Sequence, residues 1–348
     1  MKIRRINENR NFALQELSDH PIFDGAIEEG GIKKIGVLLV GLGGYGTELL
    51  KAFSWCAQMP GYEFTIHVFD KEKGEDKIKA AAPEFIEKNH TKEPTEAHYD
   101  IHFHDDTDVN SDKFIEELKK LKGITRVYVA LGDDERNIET ALKIRTVLER
   151  ERQKNPSLPE PPIYPIVYSA AKTESVMLAK MQSDLGDMPE LKNMEGKEYK
   201  IYFIGALKTR YSLKSVERAE LEDAALKLHL HWSKTELEIE KASKKYQRFE
   251  YFRNSSMAQA VYRRLIDTYA NISAADDEKE KILMDYEHRR WNAYTRADGY
   301  VFFEKPGFDP AKDPDKDHIA KTHRDLRSTK ALQEAKDELS KIKVLKDK

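Results

Sequence analysis

Residues Lys34 to Gly46 read KIGVLLVGLGGYG, and no other stretch limits the possible folds as tightly. An apolar run, Ile35 to Val40, meets Gly41, Gly43 and Gly46 at G-x-G-x-x-G spacing. A helical pattern follows at once, from Thr47 to about Gln58, before Pro60-Gly61 breaks it. A buried strand, a glycine turn and a helix start form a phosphate-binding entry. The first glycine permits the tight turn, the second lets a pyrophosphate reach the backbone, and the third lets helix and strand pack closely. The first amides of the helix then face an anion.

The pattern after it alternates. Strands are expected at Phe64–Phe69, Tyr99–Phe103, Arg126–Leu131, Ile163–Tyr168 and Lys200–Ile204, with amphipathic helices at Ser111–Lys122 and Asn137–Gln153. That β-α order predicts an α/β fold with a doubly wound, mostly parallel, Rossmann-type sheet. Residues 155–162, NPSLPEPP, form a stiff linker. After Gly205 the chain turns helical. Residues 213–248 are continuous helix former, and further helices are expected at Ser256–Tyr269, Glu278–Ala297 and Arg327–Lys343. The expected organisation is an arm at 1–32, a nucleotide-binding domain at 33–210, a connector at 211–250 and a helical domain at 251–348.

The ligand candidates cluster in the first half. Gly41, Gly43, Gly44, Tyr45 and Gly46 would cradle phosphate. Asp70 closes the second strand 24 residues after Gly46 (70 minus 46), the place of an acid that holds a ribose hydroxyl. Lys71 and Lys73 beside it would attract phosphate. Gly132-Asp133, Ser169-Ala170 and Gly205-Ala206 end later strands and leave room at the same crevice. Lys208, Arg210 and Lys214 are further candidates to neutralise phosphate. The implied cofactor is an adenine nucleotide or an NAD-like dinucleotide.

In the C-terminal third, Glu287, Arg290, Trp291 and Tyr294 share helix faces in EHRRWNAYTRADGY, where a Trp, a Tyr and an Arg can stack a base and pair its phosphate. The same residue types at helical spacing also build cores.

Catalytic residues are not apparent. The only cysteine, Cys56, sits in an apolar helix, the place of an inert thiol. The histidines show no H-E-x-x-H spacing, and HFH at 102–104 offers only two ligands, so no metal is expected. HDDTD, residues 104–108, reads as a helix-capping loop before a cation site. With 59 basic against 62 acidic residues, nothing marks a nucleic-acid binder. One cysteine and a charged start without an apolar core fit a cytoplasmic protein, and no run is long enough for a membrane span.

Three C-terminal pieces occur in order: NSSMAQAVYRRLIDTY (254–269), EHRRWNAYTRADGYVF (287–302) and KDHIAKTHRDLRS (316–328). Together they resemble the RyR domain, named for a repeat in ryanodine receptors and also found in bacteria. The first half resembles the TrkA-N type that bacterial chains fuse to RyR domains. The resemblance implies a sensor of a nucleotide or nucleotide-derived second messenger, a bacterial antiphage-defence regulator or effector, more than a catalyst. It implies a homo-oligomer, a dimer, with an effector or membrane-protein partner. VLLVGLGGYG followed by VFDKE is also similar to the opening of ThiF/E1 adenylyltransferases, but their Asn-x-x-Arg-Gln element is missing here. An NAD-dependent oxidoreductase or such an adenylyltransferase is the alternative expectation.

Overall fold

The computed structural model describes residues 7–169, 199–206, 219–231, 233, 235–270, 272–308, 313–335 and 337. By their contacts the residues form two compact units. The first comprises Met1–Leu50, Glu63–Gly74 and Ile101–Glu220; the second comprises Lys51–Tyr62, Glu75–Asp100 and Leu221–Lys348.

The first unit is built on a mostly parallel sheet. Its strands are β1 (Ile27–Glu29), β2 (Ile32–Val40), β3 (Tyr62–Phe69), β4 (Asp100–His104), β5 (Ile124–Val129) and β6 (Ile163–Pro165). They lie in the order β4-β3-β2-β5-β6, with β1 added antiparallel to the start of β2. β2 pairs β5 in parallel, Val40 opposite Val129, and β5 pairs β6 in parallel, Val129 opposite Pro165. The chain runs outward from β2 to β3 and β4, then restarts at β5 on the other side. Strand order therefore reverses between β2 and β5, where α/β sheets open a ligand crevice. The expected strand at Lys200–Ile204 is reduced to two parallel bridges, Ile163 with Ile201 and Ile166 with Ile204.

The central strands form because their apolar runs have no polar face to turn outward. Ile35 to Val40 and all of β5 are buried, as strands covered on both sides must be. Even Arg126 on β5 is buried, its guanidinium donating to the Tyr164 hydroxyl at 3.1 Å. One face packs Leu38, Val40, Phe69, Val127 and Val129 against Phe114 and Leu118 of α5 (Asp112–Lys120) and Ile138 and Ile144 of α6 (Asp134–Lys154). Both helices start on side-chain caps: Ser111 accepts from the Phe114 amide, and Asp133 from the Arg136 amide. The N-terminal segment contributes α1 (Glu8–Asp19), whose Phe12, Leu14 and Leu17 are buried.

The second unit is mainly helical. α7 (Ala219–Leu230), α8 (Glu236–Arg248), α9 (Glu250–Tyr269) and α10 (Asp276–Ala297) precede a three-stranded ribbon ordered β7-β9-β8. Its strands are β7 (Val301–Phe302), β8 (Lys316–Asp317) and β9 (Thr322–His323). The helix-forming stretch 213–248 is not continuous: it breaks before Thr235, which caps α8 in a reciprocal box with Glu238. The expected helix at 327–343 lies partly outside the described residues.

This unit also takes in the end of α2 (Gly44–Cys56), most of α3 (Gly74–Ala81) and α4 (Pro83–Glu87). The reason is burial. Trp55 packs edge-on against Tyr294, ring centroids 6.3 Å apart, and the Tyr262 hydroxyl donates to the Gln58 carbonyl. Gln58 in turn bonds the backbone of His98 through both ends of its amide. The unit boundary therefore falls inside α2, between Leu50 and Lys51.

Candidate functional site

The glycine turn closes tightly around itself. Gly41 has φ +96°, a conformation that favours glycine, and its amide donates to the Phe69 carbonyl at 2.8 Å. A Cβ on Gly41 would stand 2.6 Å from the Ala130 carbonyl oxygen, and one on Gly46 would overlap the Gly41 oxygen. These two glycines hold β2, β5 and the first turn of α2 together. Gly43 and Gly44 are different. Both are exposed, and a Cβ on Gly43 would meet nothing closer than 3.8 Å. The first amides of α2 have no partners within the helix and begin at this exposed rim.

Asp70 is bound to the loop itself. Its Oδ2 accepts from the Leu42 amide at 2.6 Å and its Oδ1 from the Glu72 amide at 2.9 Å. It thus fixes the turn through both carboxylate oxygens. Lys71 next to it is exposed. Across the crevice, Gly132 is exposed at φ +82°, and Asp133 serves as the cap of α6. Asp134 accepts from the amides of Tyr168 and Ser169, and Asn137 ties the Leu131 amide to the Ile166 carbonyl. Polar groups therefore fix the ends of β5 and β6. α1 forms the near wall. Its Asn9 amide nitrogen lies 2.5 Å from the place of a Gly44 Cβ, Glu8 accepts from the Tyr45 hydroxyl at 2.6 Å, and Phe12 meets Tyr45 edge-on at 5.1 Å. Nothing in its charge pattern signals that this helix borders the turn. Ala170, Lys208, Arg210 and Lys214 lie outside the described residues.

In the second unit the four helix residues part company. Arg290 is buried; its guanidinium makes two bonds to Glu287, at 3.0 and 2.8 Å, and lies about 6 Å from the rings of Tyr262 and Tyr294. Tyr294 is buried against Trp55. Trp291 turns elsewhere, stacked on His288 and edge-on to His323 at 4.8 Å. Arg290 and Tyr294 are thus buried together with the partly exposed Glu287 paired to Arg290, and Trp291 is not with them.

A group that no periodicity announces lies nearby in the chain. Arg296 is buried and binds Glu96 through both terminal nitrogens, at 2.7 and 3.1 Å, and Glu84 through Nε at 2.9 Å. Burial raises the Glu96 pKa, but the guanidinium, the Ala97 amide and Lys88 outweigh it and hold the carboxyl below the usual range. Glu84, Glu96 and Arg296 line a cavity of about 680 Å³ that Phe302 and Arg327 also border. Cys56 is buried, and burial pushes its thiol pKa up, which leaves it unreactive. The HDDTD loop is structural: Asp105 accepts from the Gly74 amide that opens α3.

No protein-family model, curated protein or solved structure matches the chain. No described helix is long and apolar enough to cross a membrane.

Proposed function

We propose that the first unit binds an adenine nucleotide or dinucleotide at the glycine turn and that the protein senses this ligand rather than transforming it. The observation that carries the proposal is the exposed Gly43-Gly44 pair, set at the start of α2 where strand order reverses. Gly41 and Gly46 are used for packing; Gly43 is free of that duty, so its missing side chain leaves space for a ligand. Phosphate would meet the amides of Gly43, Gly44 and Tyr45, with Lys71 adding charge and Asp70 holding ribose. Gly132 leaves the opposite wall open.

Two features favour sensing. Among the described residues of the first unit, no nucleophile, base and orienting acid line this crevice together. And α2 starts at the turn while its last residues belong to the second unit, so one helix carries a ligand's effect along the chain. The RyR resemblance supports a receptor that changes conformation or assembly, as a dimer acting on an effector in antiphage defence.

Isothermal titration against NAD⁺, ATP, ADP-ribose and cyclic nucleotides tests this. Gly43→Asp places an anion in the phosphate position without touching the packed glycines. Binding that falls by at least about tenfold in this variant supports the site. Lack of binding by every compound, or affinity unchanged in Gly43→Asp, rejects it.

A further inference from the structure

Two histidines and an aspartate bring ligand atoms together at the start of β4. Asp100 and His102 are two residues apart on this strand and so share a face, while Ile101 between them is buried on the other. His90 reaches them from the turn that follows α4. Its φ of +60° is left-handed, which residues other than glycine rarely adopt, and its amide donates to the Tyr99 carbonyl at 3.1 Å. That bond pins the turn beside the first residue of the strand. One ligand atom from each of the three side chains lies within 4.8 Å of those of the other two. Ligand atoms bonded to one tetrahedral ion at about 2.0–2.2 Å stand about 3.3 Å apart, so small rotations of these partly exposed side chains close the site.

The surroundings orient both rings. His90 Nδ1 is hydrogen-bonded to Asp100 Oδ1, and the Asn89 side chain lies 3.0 Å from the other ring nitrogen, Nε2. The His102 ring stacks on His67, centroids 5.0 Å and planes 20° apart. Each imidazole is therefore held by a neighbour outside the ligand set. For His90 that neighbour is a polar group at the far nitrogen, the arrangement that fixes metal-binding histidines. The imidazole nitrogen and the carboxylate oxygen share one proton. A divalent cation set between them takes that proton's place, the proton passes to solvent, and His102 supplies the third bond.

We propose that His90, Asp100 and His102 bind a divalent transition ion, Zn²⁺ by preference, that clips the turn after α4 to β4. Two imidazoles and one carboxylate suit Zn²⁺, Co²⁺, Ni²⁺ or Cu²⁺; Mg²⁺ and Ca²⁺ want oxygen ligands and are excluded. Zn²⁺ imposes no geometry through its d electrons and so accepts an adaptable, solvent-facing set most readily. Three protein ligands leave a fourth position for water or a donor atom from another molecule. The site uses none of the residues assigned to the glycine turn, so either can fail without the other.

The test is calorimetric titration of the chelator-treated full chain with Zn²⁺, run in two buffers of different ionisation enthalpy. The expected result is one equivalent of Zn²⁺ bound with release of about one proton per ion, and a higher thermal midpoint in its presence. His90→Gln, Asp100→Asn and His102→Gln should each weaken binding at least about tenfold. His231→Gln should leave it unchanged. Thermal melts without the ion check that each variant folds; in the wild type, the imidazole ¹⁵N signals of His90 and His102 should shift on adding Zn²⁺. No binding of Zn²⁺, affinity that survives His90→Gln or His102→Gln in a folded protein, or an equal loss in His231→Gln overturns the site.

Discussion

Gly46 sits so close to the carbonyl oxygen of Gly41 that a Cβ on Gly46 would overlap it. The third glycine of the motif is therefore a packing residue, whatever binds at the turn. Gly46→Ala should lower stability by about 1–3 kcal/mol or prevent folding, because the neighbour that must move is backbone. Gly43→Ala, whose Cβ would meet only ordinary contact, should stay within about 0.5 kcal/mol of the parent. Urea melts of the two ligand-free variants check the contrast; equal midpoints would contradict it.

Asp70 joins the turn to the end of β3 through two backbone amides, one on each carboxylate oxygen. Asp70→Ala should cost about 1–3 kcal/mol without any ligand present. Asp70→Asn should do no better, because an amide can accept from one of these N–H groups but must present a donor to the other. If Asp70→Asn melts like the parent, the carboxylate is not what holds the turn.

Local pattern explains why much of the first unit was legible. Ile35–Val40 and the Val127–Val129 run of β5 are unbroken apolar stretches, and Ser111 and Asp133 announce their helices as caps. The glycine turn, α5, α6 and the strands β3 to β6 all follow from such signals within a few residues. What stayed hidden depends on distance in sequence. Arg296 meets Glu84 and Glu96 across about 200 residues, and a partner so remote leaves no period to read. For the same reason nothing in the pattern says that Lys51–Tyr62 and Glu75–Asp100 pack with the C-terminal helices. Trp291 and Tyr294 fit one helix face in projection, yet they pack against different neighbours, His323 and Trp55. His67 joins HFH only once β3 lies beside β4.

The Arg296–Glu96 pair should show the asymmetry of buried charge. Arg296→Met strands two carboxylates and should cost about 3–5 kcal/mol. Adding Glu96→Gln to it should recover part of that loss, giving a coupling above about 1 kcal/mol in a double-mutant cycle. Additive losses would mean that the two groups do not stabilise each other.

His323 should make the protein acid-sensitive well above the carboxylate range. Burial, with Lys316, His318 and His288 adding charge, pushes its pKa down to about 3, while its Nδ1 accepts from the Asp325 amide at 3.1 Å. In the unfolded chain the same ring takes a proton near pH 6.5. Between these values the unfolded state binds the extra proton, so stability is complete above about 6.5 and falls as the pH drops toward 3. One such group contributes a slope of up to about 1.4 kcal/mol per pH unit. Glu96 acts later: its lowered pKa makes its contribution complete above about 4.5 and lost only below that. His104, His229 and His318 are also depressed by burial and keep part of the slope between pH 6.5 and 5. His323→Asn retains an acceptor for the Asp325 amide but cannot titrate there. It should be less stable at pH 7, through lost packing on Trp291, and its stability should fall less steeply from pH 6.5 to 5. Urea midpoints for both proteins across that interval decide the matter: parallel curves would show that His323 is protonated as readily in the fold as outside it.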